Sequence, residues 1–235
     1  MLPTVMFFDL DDTIISFNAI AVPLWRELSE VYCQQTGDFQ AQQLFEAILR
    51  AANWYWGDRE RHREGRLDIA NARRQIVKHA FRELGADGER DAYALADEFS
   101  TKRIERITMF PGARETLEAL TQRGIRLVLI TNGDAEGQNA KIDRFQLRPY
   151  FEQVFVEGEV GFGKPDPRVY QLALETMQMS PQNVWMVGDN LEWDVGAPQK
   201  FGIYGIWNDY RNKGLPESSD VLPDRIINSI SELVE

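Results

Sequence analysis

From Phe110 to Trp207 the sequence alternates short, continuous apolar runs with stretches whose apolar residues recur at helical spacing. Leu127 to Ile130, Phe151 to Val156, Val184 to Val187 and Ile203 to Trp207 read as strands. Between them, Ala113, Leu117 and Leu120, and then Val169, Leu172, Ala173 and Met177, read as helices. A strand that is apolar at every position is covered on both faces. Strands that alternate with helices in this way pair in parallel. The expected fold is α/β, a doubly wound, Rossmann-like parallel sheet.

One more strand is expected at the N-terminus, from Val5 to Phe8. It runs into Asp9-Leu10-Asp11-Asp12-Thr13, three carboxylates within four residues. Carboxylates are almost never fully buried unless they are paired or bound to metal. Along an extended segment, alternation turns Asp9 and Asp11 to the same side, and oxygen ligands facing one spot suit a hard divalent cation. Taken alone, the pattern fits a solvated strand end with Asp12-Thr13 as a turn equally well. The other strands tip the balance. Thr131 and Asp189 each follow directly on an apolar run, and Lys164 lies in the loop Gly161-Phe162-Gly163-Lys164-Pro165-Asp166-Pro167 before a helix. In doubly wound sheets ligands sit beyond the carboxyl ends of the strands. Asp9, Thr131, Lys164 and Asp189 are thus expected to share one crevice.

Between the first strand and Phe110 the pattern is helical. Ala21, Trp25, Leu28 and Tyr32 form one stripe; Leu44, Phe45, Ile48, Leu49 and Ala52 a second; Ile69, Ala72, Ile76, Ala80 and Leu84 a third; Ala92, Leu95, Ala96 and Phe99 a fourth. The spacing predicts a four-helix insert over 17–105, with the α/β core formed by 1–16 and 106–235. Within the insert, Trp54-Tyr55-Trp56 runs into the charged segment Gly57 to Arg66. It reads as a helix end packing aromatics on the bundle in preference to a substrate-gripping loop. His62 and His79 have no ligand-like neighbours in sequence and are expected to be packing or surface residues.

A net charge of −11 excludes a nucleic-acid polymer as partner, since phosphate backbones need a basic face. It leaves room for a small phosphorylated metabolite, because one metal ion and one lysine supply enough local positive charge. Cys33, the only cysteine, is expected to be a helix-packing residue, and a chain with no internal disulfide fits a reducing compartment. With no signal-peptide pattern and no run long enough to span a bilayer, the expectation is a cytoplasmic, monomeric protein with no membrane contact.

The chain resembles the haloacid dehalogenase superfamily. Asp9-Leu10-Asp11-Asp12-Thr13 is similar to the family's D-x-D-x-T, Thr131 to its second motif, Lys164 in Gly-Lys-Pro-Asp-Pro to its third, and Gly188-Asp189-Asn190-Leu191-Glu192-Trp193-Asp194 to its G-D-x-x-x-x-D. The helical insert is similar to the family's helical cap of the first type. The resemblance implies Asp9 as a nucleophile that becomes an aspartyl-phosphate, and Asp11 as general acid and base. It further implies Mg²⁺ held by Asp9, Asp189 and the Asp11 main-chain carbonyl, with Asp194 orienting that site. Lys164 and Thr131, with the backbone amides near Leu10 and Asn132, would bind the phosphoryl oxygens; Asp12 is expected to be structural. The superfamily's dehalogenases lack the second aspartate, so Asp11 favours phosphoryl substrates. The segment Glu159 to Pro165 is similar to the nucleotidase-like branch. Phosphoglycolate and sugar-phosphate phosphatases are close alternatives, and dehalogenation, phosphomutase chemistry and a non-catalytic binding role are further ones.

Overall fold

A computed structural model describes residues 2–234. The first strand, β1 (Val5–Phe8), has all four side chains buried. A tight loop follows it and ends in the two-residue strand β2 (Ile15–Ser16).

The chain then enters a helical unit, Phe17–Ile107. It contains α1 (Ala21–Thr36), α2 (Ala41–Trp56), α3 (Arg59–Gly65), α4 (Ile69–Glu83) and α5 (Glu89–Arg106). The four expected stripes lie on α1, α2, α4 and α5. Leu24, Leu28, Leu44, Ile48, Ala80 and Phe99 lie in one buried core. Each buried leucine or isoleucine contributes about 1.5–3 kcal/mol. Trp25 stacks on Phe99 with ring centroids 3.7 Å apart. Cys33 packs half-buried against this core. The short helix α3 was not expected. It starts at Asp58, whose carboxylate accepts from the Glu60 and Arg61 amides, a local N-cap that outweighs the absence of an apolar stripe.

The second unit comprises residues up to Ser16 and from Thr108 onward. It continues with β3 (Thr108–Met109), α6 (Ala113–Gln122), β4 (Arg126–Thr131), α7 (Ala135–Arg144), β5 (Gln153–Val156), α8 (Glu157–Val160), α9 (Pro167–Met177), β6 (Val184–Gly188), α10 (Ala197–Gln199), β7 (Tyr204–Asn208) and β8 (Arg225–Ile227). The six-stranded sheet has the order β5-β4-β1-β6-β7-β8, and every pairing is parallel. It is the expected doubly wound α/β sheet. Its central strand β1 sets Phe7 against Val128 on one side and Met186 on the other. One face buries Val5, Phe7, Val128, Ile130, Tyr170 and Met186 together.

Four local features lie outside what the sequence pattern shows. β2 and β3 form a small antiparallel pair, too short to leave a periodic trace. The turn after Asp189 is a π-helical turn, Leu191–Gly196, followed by the single turn α10. The edge strand β8, three residues long, is likewise too short to leave a periodic trace. Ser229 and Glu232 form a capping box on a 3-10 turn, Ile230–Leu233. Among the described residues no helix is long and apolar enough to cross a membrane.

Candidate active site

The carboxyl end of β1 delivers Asp9, whose amide still donates to Val187 of β6 at 2.9 Å, so its backbone is fixed as part of the sheet. Directly afterwards the chain turns. The Leu10 carbonyl accepts from the Ile14 and Ile15 amides at 2.9 and 3.1 Å, and Asp12 takes a left-handed backbone with φ 62°. This loop folds Thr13 back, so that its hydroxyl donates to Asp9 Oδ2 at 3.1 Å.

Lys164 is 1% exposed. Its Nζ donates to Asp9 Oδ1 at 2.7 Å and to Asp194 Oδ1 at 2.6 Å. The backbone around it is framed by one side chain. Asn132 Nδ2 donates to the Lys164 carbonyl at 2.5 Å, and the Lys164 amide donates to Asn132 Oδ1 at 2.8 Å. Thr131, buried at the end of β4, lies one residue before this clamp.

After β6, Asn190 caps the π-helical turn through the Glu192 and Trp193 amides. That turn brings Asp194 back over the strand, where its Oδ2 accepts from the Asn190 amide at 3.0 Å. Only glycine fits beneath it, because a Cβ on Gly188 would lie 2.2 Å from Asp194 Cγ. Asp189 is anchored through its carbonyl, which accepts from the Trp207 indole at 2.8 Å.

One carboxylate oxygen from each of Asp9, Asp189 and Asp194 lies within 4.8 Å of the others. Their electrostatics are severe. Burial pushes Asp9 up to about 7, assisted by Asp194, with Lys164 pulling the other way. Burial, Asp9 and Asp194 push Asp189 up to about 9. Two such carboxylates are not both ionised at neutral pH unless further positive charge joins Lys164. An all-oxygen donor set with excess negative charge fits a hard divalent cation of the Mg²⁺ type.

Four of the expected site residues, Asp9, Lys164, Asp189 and Asp194, therefore meet in one cluster. The Asp11 carboxylate does not join it. Strand alternation stops applying once the loop leaves the extended conformation at Leu10, and Asp11 is taken up by Lys141, whose Nζ lies 2.7 and 2.6 Å from its two oxygens. Gln138 Nε2 donates to it as well, at 3.1 Å. Asn132 contributes its side chain to the Lys164 loop, beyond the amide role expected of it. Gln138 and Lys141 escaped the sequence reading, since a glutamine and a lysine three apart on a helix look like a solvated face. Their one signal is position, in the first turns after Thr131-Asn132.

In the helical unit, the Trp54 ring carries His79 stacked at 4.1 Å, with Arg61 4.2 Å above its ring centroid. Tyr55 is buried in the bundle core. The segment is thus packed on its own neighbours, as a helix end is.

Comparison with known proteins agrees with this geometry. Residues 3–202 match the model of the haloacid dehalogenase-like hydrolases. Phosphoserine phosphatase of Thermus thermophilus is 29% identical, covering 97% of this chain and 96% of its own. The pyrimidine 5'-nucleotidase PynA of Streptococcus pneumoniae is 27% identical over 98% of this chain and 93% of its own. Among solved structures, a 2-haloacid dehalogenase from Pseudomonas syringae is 27% identical with a TM-score of 0.63, covering 99% of this chain and 96% of that one. A family pattern matched over most of the sequence, on a sheet of the same fold, establishes that the chain belongs to the haloacid dehalogenase-like hydrolases.

Proposed function

We propose that the chain is a Mg²⁺-dependent phosphomonoester hydrolase that works through an aspartyl-phosphate on Asp9, with 17–105 serving as its cap. The observation that carries this reading is the buried Lys164 ammonium bridging Asp9 and Asp194 beside Asp189. It is built to gather negative charge around one carboxylate oxygen. A dianionic phosphate approaches a carboxylate only if charge is compensated. Asp9, Asp189 and the Asp11 carbonyl would hold a divalent cation, with Asp194 orienting that site, and the cation would supply most of that compensation.

The chain's own residues do the rest. Thr13 and Lys164, one on each oxygen, hold the Asp9 carboxylate in one orientation for in-line attack on phosphorus. Lys164 and Thr131, with the amides near Leu10 and Asn132, take the phosphoryl oxygens. Asp11 protonates the leaving oxygen and then takes a proton from the water that cleaves the aspartyl-phosphate. A nucleoside monophosphate is the first choice of substrate, supported by the nucleotidase relative. A phosphoserine-, phosphoglycolate- or sugar-phosphate-like metabolite is the alternative. The protein acts as a cytoplasmic monomer in this reading.

A second reading, 2-haloacid dehalogenation, draws on the Pseudomonas structure, and the Asp11 carboxylate speaks against it. The deciding experiment measures phosphate release from a panel of aryl, nucleoside, glycolate, serine and sugar phosphates, with Mg²⁺ and with EDTA, beside Asp9→Asn. Metal-dependent release that is lost in Asp9→Asn is expected. Halide release from 2-haloacids with no phosphate release would replace this reading with the second.

A further inference from the structure

Helix α7 starts immediately beyond Thr131-Asn132-Gly133 and sets Gln138 and Lys141 one turn apart on the same face. Both are nearly sealed from water, at 4% and 8% exposed. Lys141 Nζ reaches across 130 positions of sequence to both oxygens of Asp11, at 2.7 and 2.6 Å. Gln138 Nε2 donates to Asp11 Oδ2 at 3.1 Å and to the Asn132 carbonyl. The acid in the first loop and the backbone of the Thr131-Asn132 loop are thus joined through one glutamine amide.

A free carboxyl at the end of a short side chain swings between rotamers. One whose two oxygens are both taken by an ammonium, with an amide on one of them, does not. Charge-assisted bonds of this length are roughly twice as strong as neutral ones. The low exposure also limits the screening that makes surface pairs weak.

We propose that Lys141, with Gln138 as second donor, is a positioning residue for Asp11, fixing where its carboxyl meets the leaving oxygen. This rests on the acid–base reading of Asp11 given above. In the first step the Asp9 oxygen–phosphorus bond forms. The bond from phosphorus to the leaving oxygen breaks with its electron pair on oxygen, and a proton moves from the Asp11 carboxyl to that oxygen. In the second, water attacks phosphorus, its proton passes to Asp11, and the bond to Asp9 breaks. Lys141 keeps its own protons throughout. Its ammonium stands beside the carboxylate that Asp11 becomes once its proton has gone.

The test uses two aryl phosphates of nearly equal size, with Mg²⁺. The leaving group of 4-nitrophenyl phosphate departs without a proton, and that of phenyl phosphate does not. The value of kcat/KM reports the first step alone. Asp11→Asn is expected to lose at least about tenfold more kcat/KM on phenyl than on 4-nitrophenyl phosphate. Lys141→Met is expected to show the same selective loss, Lys141→Arg to recover most of it, and Lys141→Met to add nothing in the Asp11→Asn background. If Lys141→Met does not fold, Lys141→Gln takes its place. Equal loss on both substrates, with Asp11→Asn still selective, would reduce Lys141 to a structural residue and overturn the inference alone. An Asp11→Asn variant with no selectivity would overturn the acid–base reading and the inference with it.

Discussion

In the helical unit several charged pairs lie in water. Arg74 and Asp97, 2.7 Å apart, have side chains 41% and 46% exposed, and Arg106–Glu27 is similar. At the strand ends of the α/β unit the corresponding figures are 2% for Lys164, 10% for Asp9 and 1% for Asp194. The distances are the same and the physics is not. The exposed pairs exchange one hydrated geometry for another and are screened by salt. The sealed cluster has surrendered its hydration, so each member depends on the others and their proton affinities move far from ordinary values. Stability in the helical unit comes from its apolar stripes. In the α/β unit the sheet's stability is set against a costly group of buried charges.

The contrast can be broken most directly at Lys164. Lys164→Met leaves two buried carboxylates without their lysine and is expected to cost about 3–5 kcal/mol in urea unfolding. A cost no larger than that of a surface pair would mean that the cluster is hydrated. Gly188→Ala removes no polar group, yet its Cβ pushes the Asp194 carboxylate away from Lys164. Phosphate release is expected to fall by about a hundredfold, the usual penalty for a misplacement near one ångström. Unchanged turnover would show that Asp194 has no part in aligning the site.

Proton linkage gives a third measurement. The folded-state values of Asp9 and Asp189, about 7 and about 9, lie above the ordinary 3.8. The native protein therefore binds more protons than the unfolded chain between those limits. Its stability is greatest at the acid end of this window and is lost as pH rises through the two folded values. Without metal, the melting temperature is expected to fall from about pH 5 to about pH 9, and added Mg²⁺ to raise it more at the alkaline end. A Mg²⁺ shift independent of pH would sink this account of the cluster. The smallest effect is expected at the helical unit's surface. Arg74→Ala should melt indistinguishably from the parent in a thermal scan at physiological salt, and a clear drop would show that exposed pairs there matter more than their solvation allows.

The sheet and most of the site were legible in the sequence for one reason. A buried parallel strand is a continuous apolar run, and its end is marked by the first polar residue. Asp9, Thr131 and Asp189 each announce themselves in this way, and Lys164 sits in a loop closed by its own cap, Asp166. Lys141 and Gln138 carry no such mark, because a helix face reads as solvated until its partner across the fold is known. Asp11 misled for a related reason. Strand periodicity was carried two residues past the strand, whereas the Leu10 carbonyl had already begun a turn. The strands β2, β3 and β8 were too short to give any period. In the helical unit the Trp54 segment was read as a helix end, and the Trp54 ring has His79 and Arg61 as neighbours while staying 44% exposed.

The place of β1 in the sheet bears on how such a chain comes off the ribosome. Synthesis delivers Val5–Phe8 first, but its neighbours β4 and β6 begin only at Arg126 and Val184. An emerging chain thus carries a fully apolar strand with both edges open until β4 and β6 follow, a segment prone to pairing wrongly. The lysine that meets Asp9 arrives 155 residues later. A chain that stops before β6 carries Asp9 but neither Asp189 nor Asp194, so the carboxylate cluster closes only after the last strand beside β1 has been made.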